Sequence, residues 1–212
     1  MDPAIIMAIG TPDEFSEWSS VYDANVFTGD TFPFRSYRRV LQRVVDLADV
    51  GPGTSVLDLG IGTGNLARLF VDRGCHVLGV DYSTRMLDEA AKKLPDVSTV
   101  VADILGPWPS KLPQRYDRLV SAYVFHHFET DEKIDVLSRL KRDHLVEGGR
   151  IVIADLAFAS MAALDAARVE WADVWDEELY WIVDHIVPAF AQAGLPLTFE
   201  PIDDFVGVFV LQ

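Results

Sequence analysis

The chain has 212 residues, 50% of them hydrophobic and 24% charged, which is an ordinary globular composition at a length that buries one sizeable core. Its 33 acidic residues against 18 basic ones set a formal charge of −15, a field that repels nucleic acid and anionic membrane; the densest basic cluster, Arg35, Arg38, Arg39 and Arg43, is short. A single cysteine, Cys75, excludes an intramolecular disulfide. The first ten residues lack the basic start and long apolar core of a signal peptide, and no apolar run spans a bilayer, so a cytoplasmic protein acting as monomer or homodimer, without membrane or nucleic-acid partner, is expected.

Residues 13–50 carry helical periodicity in two blocks, one holding Phe15, Trp18, Val21 and Tyr22, the other Val40, Leu41, Val44, Val45, Leu47 and Ala48. Thr, Gly, Asp and Pro at 28–33 separate the blocks, and Gly51, Pro52 and Gly53 stop the second. From Thr54 onward, strand-like and helix-like stretches alternate: strands at 55–59, 76–80, 98–102, 116–121 and 150–155, helices near 64–73, 84–94, 131–145 and 182–193. The last two strands, 197–201 and 205–211, are joined by too few residues for a parallel crossover and must be antiparallel.

The pattern predicts an α/β fold, a Rossmann-like three-layer sandwich with a mostly parallel seven-stranded sheet and an antiparallel C-terminal hairpin strand. One domain is expected over 1–212: a helical extension to 53, a nucleotide-binding half at 54–156, a cap insertion at 157–181, and a final helix with hairpin at 182–212. The cap falls at the carboxyl end of the sheet, where open α/β sheets bind ligands.

The stretch 56–67, VLDLGIGTGNLA, reads as strand, tight turn and helix, a cradle for a nucleotide cofactor. Its glycines, Gly60, Gly62 and Gly64, follow G-x-G-x-G, whereas the dinucleotide fingerprint places its last glycine where Asn65 stands. Asp58 sits just before the turn, placed to fix loop amides or meet a cationic ligand group. Asp81 ends the second strand, placed to accept hydrogen bonds from ribose hydroxyls, which by itself leaves a nicotinamide dinucleotide open.

With DLGIGTG followed in order by four further motifs, VDYS, VADIL, YDRLVSAYVFHHF and LVEGGRIVIAD, the chain resembles the class I S-adenosylmethionine-dependent methyltransferases from 56 to 212. The resemblance implies S-adenosylmethionine (SAM) as methyl donor and S-adenosylhomocysteine (SAH) as product. It implies cofactor contacts from Asp58, Gly60, Gly62, Gly64, Asp81, Tyr82, Met86, Asp103, Ile104 and Ser121, with Asp103 facing the adenine amino group and Ile104 packing on the ring. The segments EWSSVYD, AYVFHH and DDFVGVFVLQ are similar to small bacterial methyltransferases of the YrrT type, which implies that Trp18 and Tyr22 belong to a lid over the methionine end; helix packing is the alternative.

Methyl transfer from a sulfonium is an in-line displacement, so the protein must align the acceptor and exclude water. His126 and His127, just after the fourth strand, are the candidate base or acceptor-orienting group; being adjacent, at most one faces the cavity, and a hydrogen-bonded loop histidine is the alternative. No metal site is expected, since no spaced Asp, Glu or His set extends the pair. Of Tyr123, Phe125, Phe128, Trp171, Trp175, Tyr180 and Trp181, two or three are expected to line the acceptor pocket, the rest being core. Asp155 either touches the acceptor or makes a cap or salt bridge; His76 and His185 read as structural and His144 as a surface residue. A small-molecule acceptor follows from the short cap and acidic surface. The rival readings are an NAD(P)-dependent oxidoreductase and a non-catalytic SAM-binding regulator.

Overall fold

The computed structural model describes residues 23, 26–27, 31–108 and 115–212. The first expected helix, with Trp18 and Tyr22, lies outside the described residues. Helix α1 (Tyr37–Ala48) buries Tyr37, Val40, Leu41, Val44, Val45 and Ala48, a stripe at three- and four-residue spacing. It ends at Asp49, whose left-handed backbone turns the chain toward strand β1 (Ser55–Leu59).

There follow α2 (Asn65–Val71), β2 (His76–Asp81), α3 (Thr84–Lys93), β3 (Ser98–Val101), β4 (Tyr116–Ala122), α4 (Thr130–His144) and β5 (Leu145–Phe158). The chain then forms α5 (Met161–Glu170), the two-residue strand β6 (Trp181–Ile182), α6 (Val183–Gln192), β7 (Leu197–Pro201) and β8 (Val206–Leu211). The sheet runs β3-β2-β1-β4-β5-β8-β7, parallel as far as β5 and antiparallel from β8 onward; β6 pairs with the end of β5 off this path. The seven-stranded main path and its closing hairpin are as the sequence predicts.

Strand alternation divides the core into two layers. Val56, Val120, Val152 and Ala154 point toward α1, α2 and α5, while Leu57, Leu119, Ile151 and Ile153 point toward α4 and α6. Leu87 and Leu94 bring α3 against Ile61 and Ala67. Three of the four clustered arginines are engaged by the C-terminal hairpin: Arg43 grips Glu200 at 2.7 and 2.6 Å, Arg35 faces Asp203 and Asp204, and Arg39 donates to the Ile202 carbonyl.

Strand β5 is longer than the predicted 150–155. Beyond Asp155 it keeps partners on both sides, Leu156 opposite Val206 of β8 and Ala157 opposite Trp181 of β6, so the ladder continues into the stretch expected to be cap. The remainder of that cap holds α5 and a short 3₁₀ turn at Ala172–Val174 before β6 returns it to the sheet. The cap is thereby anchored at both ends.

Candidate active site

Strands β1 to β5 are parallel, so their carboxyl ends share one edge of the sheet. The order β3-β2-β1-β4-β5 reverses direction between β1 and β4, and the loops leaving those two strands diverge to open a crevice there. The glycine turn after β1 forms one wall. Gly60 and Ile61 donate backbone N–H groups to the Val80 carbonyl at 2.8 and 3.0 Å, and Gly62 donates to Asp81 Oδ2 at 2.9 Å. Asp81 Oδ1 takes the Ser83 N–H at 2.9 Å. One buried carboxylate thus ties the turn to β2 and to the cap of α3. Burial pushes its pKa up, and the Ser83, Gly62 and Tyr82 amides oppose that shift.

Gly62 holds φ at +53° with open space where a Cβ would project, whereas at Gly64, φ +87°, a Cβ would meet Leu94 Cδ1 at 2.8 Å. The first glycine keeps room at the cavity and the second permits helix packing. Asp58 lies behind the turn, 1% exposed, with the Ala67 amide on its carboxylate and no partner for Oδ2 among the described residues. Burial, then the neighbouring Asp81 charge, pushes its pKa up to about 8 against the Ala67 hydrogen bond.

A cavity of about 840 Å³ opens from this turn, within the size range of small-molecule sites. Gly60, Gly62, Asp81, Tyr82, Met86, Asp103 and Ile104 line one part of it; Tyr123, Phe128, His127, Glu132, Glu177, Glu178 and Leu179 line another. Among the described residues that line it there is no Lys or Arg, so the acidic wall favours a cationic occupant. Three expected cofactor residues do not line it: Asp58 and Gly64 stand behind the turn, and the Ser121 hydroxyl, fully buried, donates to the Leu59 carbonyl at 2.7 Å. Trp18 and Tyr22 lie outside the described residues. Asp23, close to them in sequence, is tied to the turn, accepting from Thr63 Oγ1 at 2.7 Å and Asn65 Nδ2 at 3.0 Å and pairing with Lys93.

The two histidine rings lie against each other, centroids 4.1 Å apart, but take different partners. His127 lines the cavity with Nδ1 3.3 Å from Glu178 Oε2, while His126 turns inward to Asp155. His126 is 8% exposed, its Nδ1 2.6 Å from Asp155 Oδ1 and its backbone N–H 2.8 Å from Oδ2; the Trp181 indole N–H reaches Oδ2 at 3.2 Å. Asp155 therefore makes the salt bridge rather than an acceptor contact. Burial opposes charge on both partners, but their mutual attraction and hydrogen bond outweigh it, Asp155 raising the His126 pKa and His126 lowering that of Asp155. For His127, burial and the adjacent His126 charge lower the pKa despite Glu178.

Lys133 supports this corner from below. Its ammonium donates to the carbonyls of Phe128 and Leu179 and lies 5.4 Å from the Trp181 ring, and burial lowers its pKa to about 8 against the pull of Asp155, Glu129 and Glu132. A backbone hydrogen bond from Leu179 N–H to the His126 carbonyl, 2.9 Å, joins the cap to the histidine loop. This contact brings Glu178 to the pair across a sequence separation that no spacing motif spans. The expectation that no third ligand extends the histidine pair is thus corrected: one ligand atom each from His126, His127 and Glu178 fall within 4.8 Å of one another.

Of the seven aromatics, Tyr123 and Phe128 line the cavity. Phe125 and Trp181 are fully buried with α4 and α6, and Trp175 and Tyr180 pack on Phe32 and Phe158. The other histidines differ from expectation. His76 and His185 are exposed, one opening β2 and the other on the outer side of α6, and His144 is half-buried with its ring 4.8 Å from that of Trp108.

Residues 56–149 match the methyltransferase domain family. An uncharacterised methyltransferase of Geobacillus thermodenitrificans is 33% identical over 207 residues, taking in 92% of this chain and 94% of that protein. The uncharacterised methyltransferase YrrT of Halobacillus halophilus is 27% identical over 210 residues, 94% of this chain and 95% of that one. Among solved structures, a DhpI–SAH complex superposes with a TM-score of 0.71 at 16% identity over 100% of this chain and 98% of its own, a likeness of fold.

Proposed function

The chain belongs to the class I S-adenosylmethionine-dependent methyltransferases, and on that premise we propose that it transfers the donor's methyl group to a small-molecule acceptor seated beside His127. Family membership displaces the nicotinamide reading, which the early third glycine already disfavoured. The observation that carries the proposal is the continuity of one cavity, with Asp81, Asp103 and Ile104 on one wall and His127, Phe128 and Leu179 on another. A volume of about 840 Å³ is near the upper end for small-ligand sites and leaves room for donor and acceptor together.

In this reading Asp81 accepts from the ribose hydroxyls, Asp103 from the adenine amino group, and Ile104 packs on the ring. Tyr82 and Met86 flank the nucleoside, and Gly60 and Gly62 keep the backbone open to the methionine end. Asp58, Gly64 and Ser121 act behind the wall, holding the turn and its helix. The acidic lining stabilises the sulfonium and loses part of that attraction as the methyl leaves. Tyr123 and Phe128 wall the acceptor side and exclude water.

His127 orients the acceptor and takes its proton where the accepting atom carries one. Its lowered pKa keeps the imidazole neutral near pH ~7, the state in which it acts as a base. The small-molecule class is supported by the acidic wall, the engaged arginine cluster and a cap of only one helix and a short strand. Isothermal titration with SAM and SAH tests the cofactor assignment, and failure of both to bind would overturn it. Replacement His127→Phe tests the acceptor side: kcat should fall by roughly 10²–10⁴ with SAM affinity retained, the range for loss of a positioned acid–base group.

A further inference from the structure

We propose that His126, His127 and Glu178 form a binding site for a divalent first-row cation of the Zn²⁺ class, open toward the cavity, that holds the oxygen or sulfur of the acceptor. Its catalytic role rests on the methyltransferase reading above; the ion site itself rests on the donor geometry alone.

Two imidazoles and one carboxylate are the three-ligand set of catalytic zinc and non-haem iron sites, where the remaining positions are left to water or substrate. Their candidate ligand atoms lie within 4.8 Å of one another, and the His127 Nδ1 to Glu178 Oε2 separation is 3.3 Å. Ligands about 2.0–2.1 Å from one ion stand roughly 2.8–3.0 Å apart in octahedral and roughly 3.3–3.4 Å apart in tetrahedral arrangement. His127 and Glu178 thus stand near that spacing already. Both side chains are partly exposed, 26% and 23%, and small rotations draw them toward His126.

The surroundings are those of a built site. Asp155 holds Nδ1 of His126 at 2.6 Å, so Nε2 is the nitrogen left for an ion, with the carboxylate behind it fixing tautomer and ring orientation. Trp181 and the His126 backbone N–H fix the carboxylate in turn. Lys133 bonds the carbonyls of Phe128 and Leu179, each next in sequence to a donor, and the Leu179 N–H bonds the His126 carbonyl. Loop and cap are locked together at the point where the donors meet. His127 and Glu178 both line the cavity, whose described lining carries acidic residues and no Lys or Arg, so a cation is drawn in and its open positions face the acceptor.

With the ion in place, an acceptor hydroxyl or thiol coordinates through its heteroatom and releases its proton to solvent; His127 is then a ligand rather than the base. The heteroatom lone pair forms the bond to the methyl carbon, the carbon–sulfur bond of the sulfonium breaks, and its electron pair remains on the sulfur of SAH. The acceptor class is accordingly one bearing a hydroxyl or thiol able to reach the ion, in preference to a carbon nucleophile.

The test titrates Co²⁺ and Zn²⁺ into the full chain, free of any affinity tag, following Co²⁺ by visible absorption and Zn²⁺ by calorimetry, with SAM titrated in parallel. One ion per chain is expected. Affinity should fall at least tenfold in His127→Ala and in Glu178→Gln, and about 10–100-fold in Asp155→Asn, as for loss of an outer-shell carboxylate. Retained SAM binding reports that His127→Ala and Glu178→Gln are folded. Absence of Co²⁺ and Zn²⁺ binding to the wild-type chain, leaving a hydrogen-bonded His–Glu pair only, overturns the ion site, as does equal affinity in the two variants. SAM binding without ion binding leaves the methyltransferase reading standing and this one fallen; ion binding without SAM binding does the reverse.

Discussion

The Asp155 carboxylate grips His126 at two points, Oδ1 at 2.6 Å from the ring Nδ1 and Oδ2 at 2.8 Å from the residue's own backbone N–H. Both residues are buried, and the Trp181 indole adds a third contact. Removing one partner of a buried ion pair strands the other without compensation, at a cost of about 3–5 kcal/mol. Asp155→Ala is therefore expected to lower the unfolding free energy by that order in urea denaturation. A midpoint equal to that of the wild type would show that the pair does not anchor the loop.

Asp81 both lines the cavity and shapes the turn, receiving the Gly62 and Ser83 amides, so the proposed cofactor contact and the turn depend on one side chain. Asp81→Ala should weaken SAM binding by roughly 1–3 kcal/mol for lost charge-assisted hydrogen bonds, with any loosening of the turn adding to this. Calorimetric titration reads it directly, and unchanged affinity would take Asp81 out of the cofactor site.

The glycines of the turn separate ligand effects from packing effects. In Gly62→Ala the methyl meets no atom of the described residues within 4 Å but needs a left-handed backbone, so a modest stability loss of about 1–2 kcal/mol should accompany a larger loss of SAM affinity. In Gly64→Ala the methyl runs into Leu94 Cδ1 at 2.8 Å, so the thermal midpoint should fall further unless Leu94 swings aside. Equal effects of both substitutions on SAM affinity would contradict this division of roles.

Periodicity made most of this fold readable because each strand and helix buries a face whose period survives in the sequence, as the α1 stripe and the alternation of Val56 and Leu57 illustrate. The order of the motifs pointed to the cavity wall proposed to hold the donor, since Gly60, Asp81 and Asp103 sit at successive strand ends of one sheet edge and line one cavity. The acceptor corner was much less legible. His127 and Glu178 meet only because β5 runs past Asp155 and draws the cap back through β6, and a contact fixed by one long strand leaves no local spacing to read. The same limit applies to Asp58 and Ser121: motif position places them next to the cavity, while the structure buries both, with the Ser121 hydroxyl on the Leu59 carbonyl.

That burial makes Asp58 a pH-dependent element of the ligand-free protein. Its pKa of about 8 in the folded chain stands well above the value near 3.9 of an unfolded aspartate, so the native state holds the proton more tightly. The contribution to stability is fully present below the unfolded pKa and is lost as pH rises through the folded one, giving a decline from about pH 4 to about pH 8. The unpartnered Oδ2 fits a carboxyl that remains protonated near neutrality. Asp58→Asn keeps the shape and an oxygen for the Ala67 amide but cannot ionise. Relative to wild type, it should gain stability steadily between about pH 5 and pH 8 when urea midpoints are compared across that range. A difference that stays constant with pH, or that turns against the Asn variant as pH rises, would mean that Asp58 is ionised in the native state and that its charge is balanced by the fold.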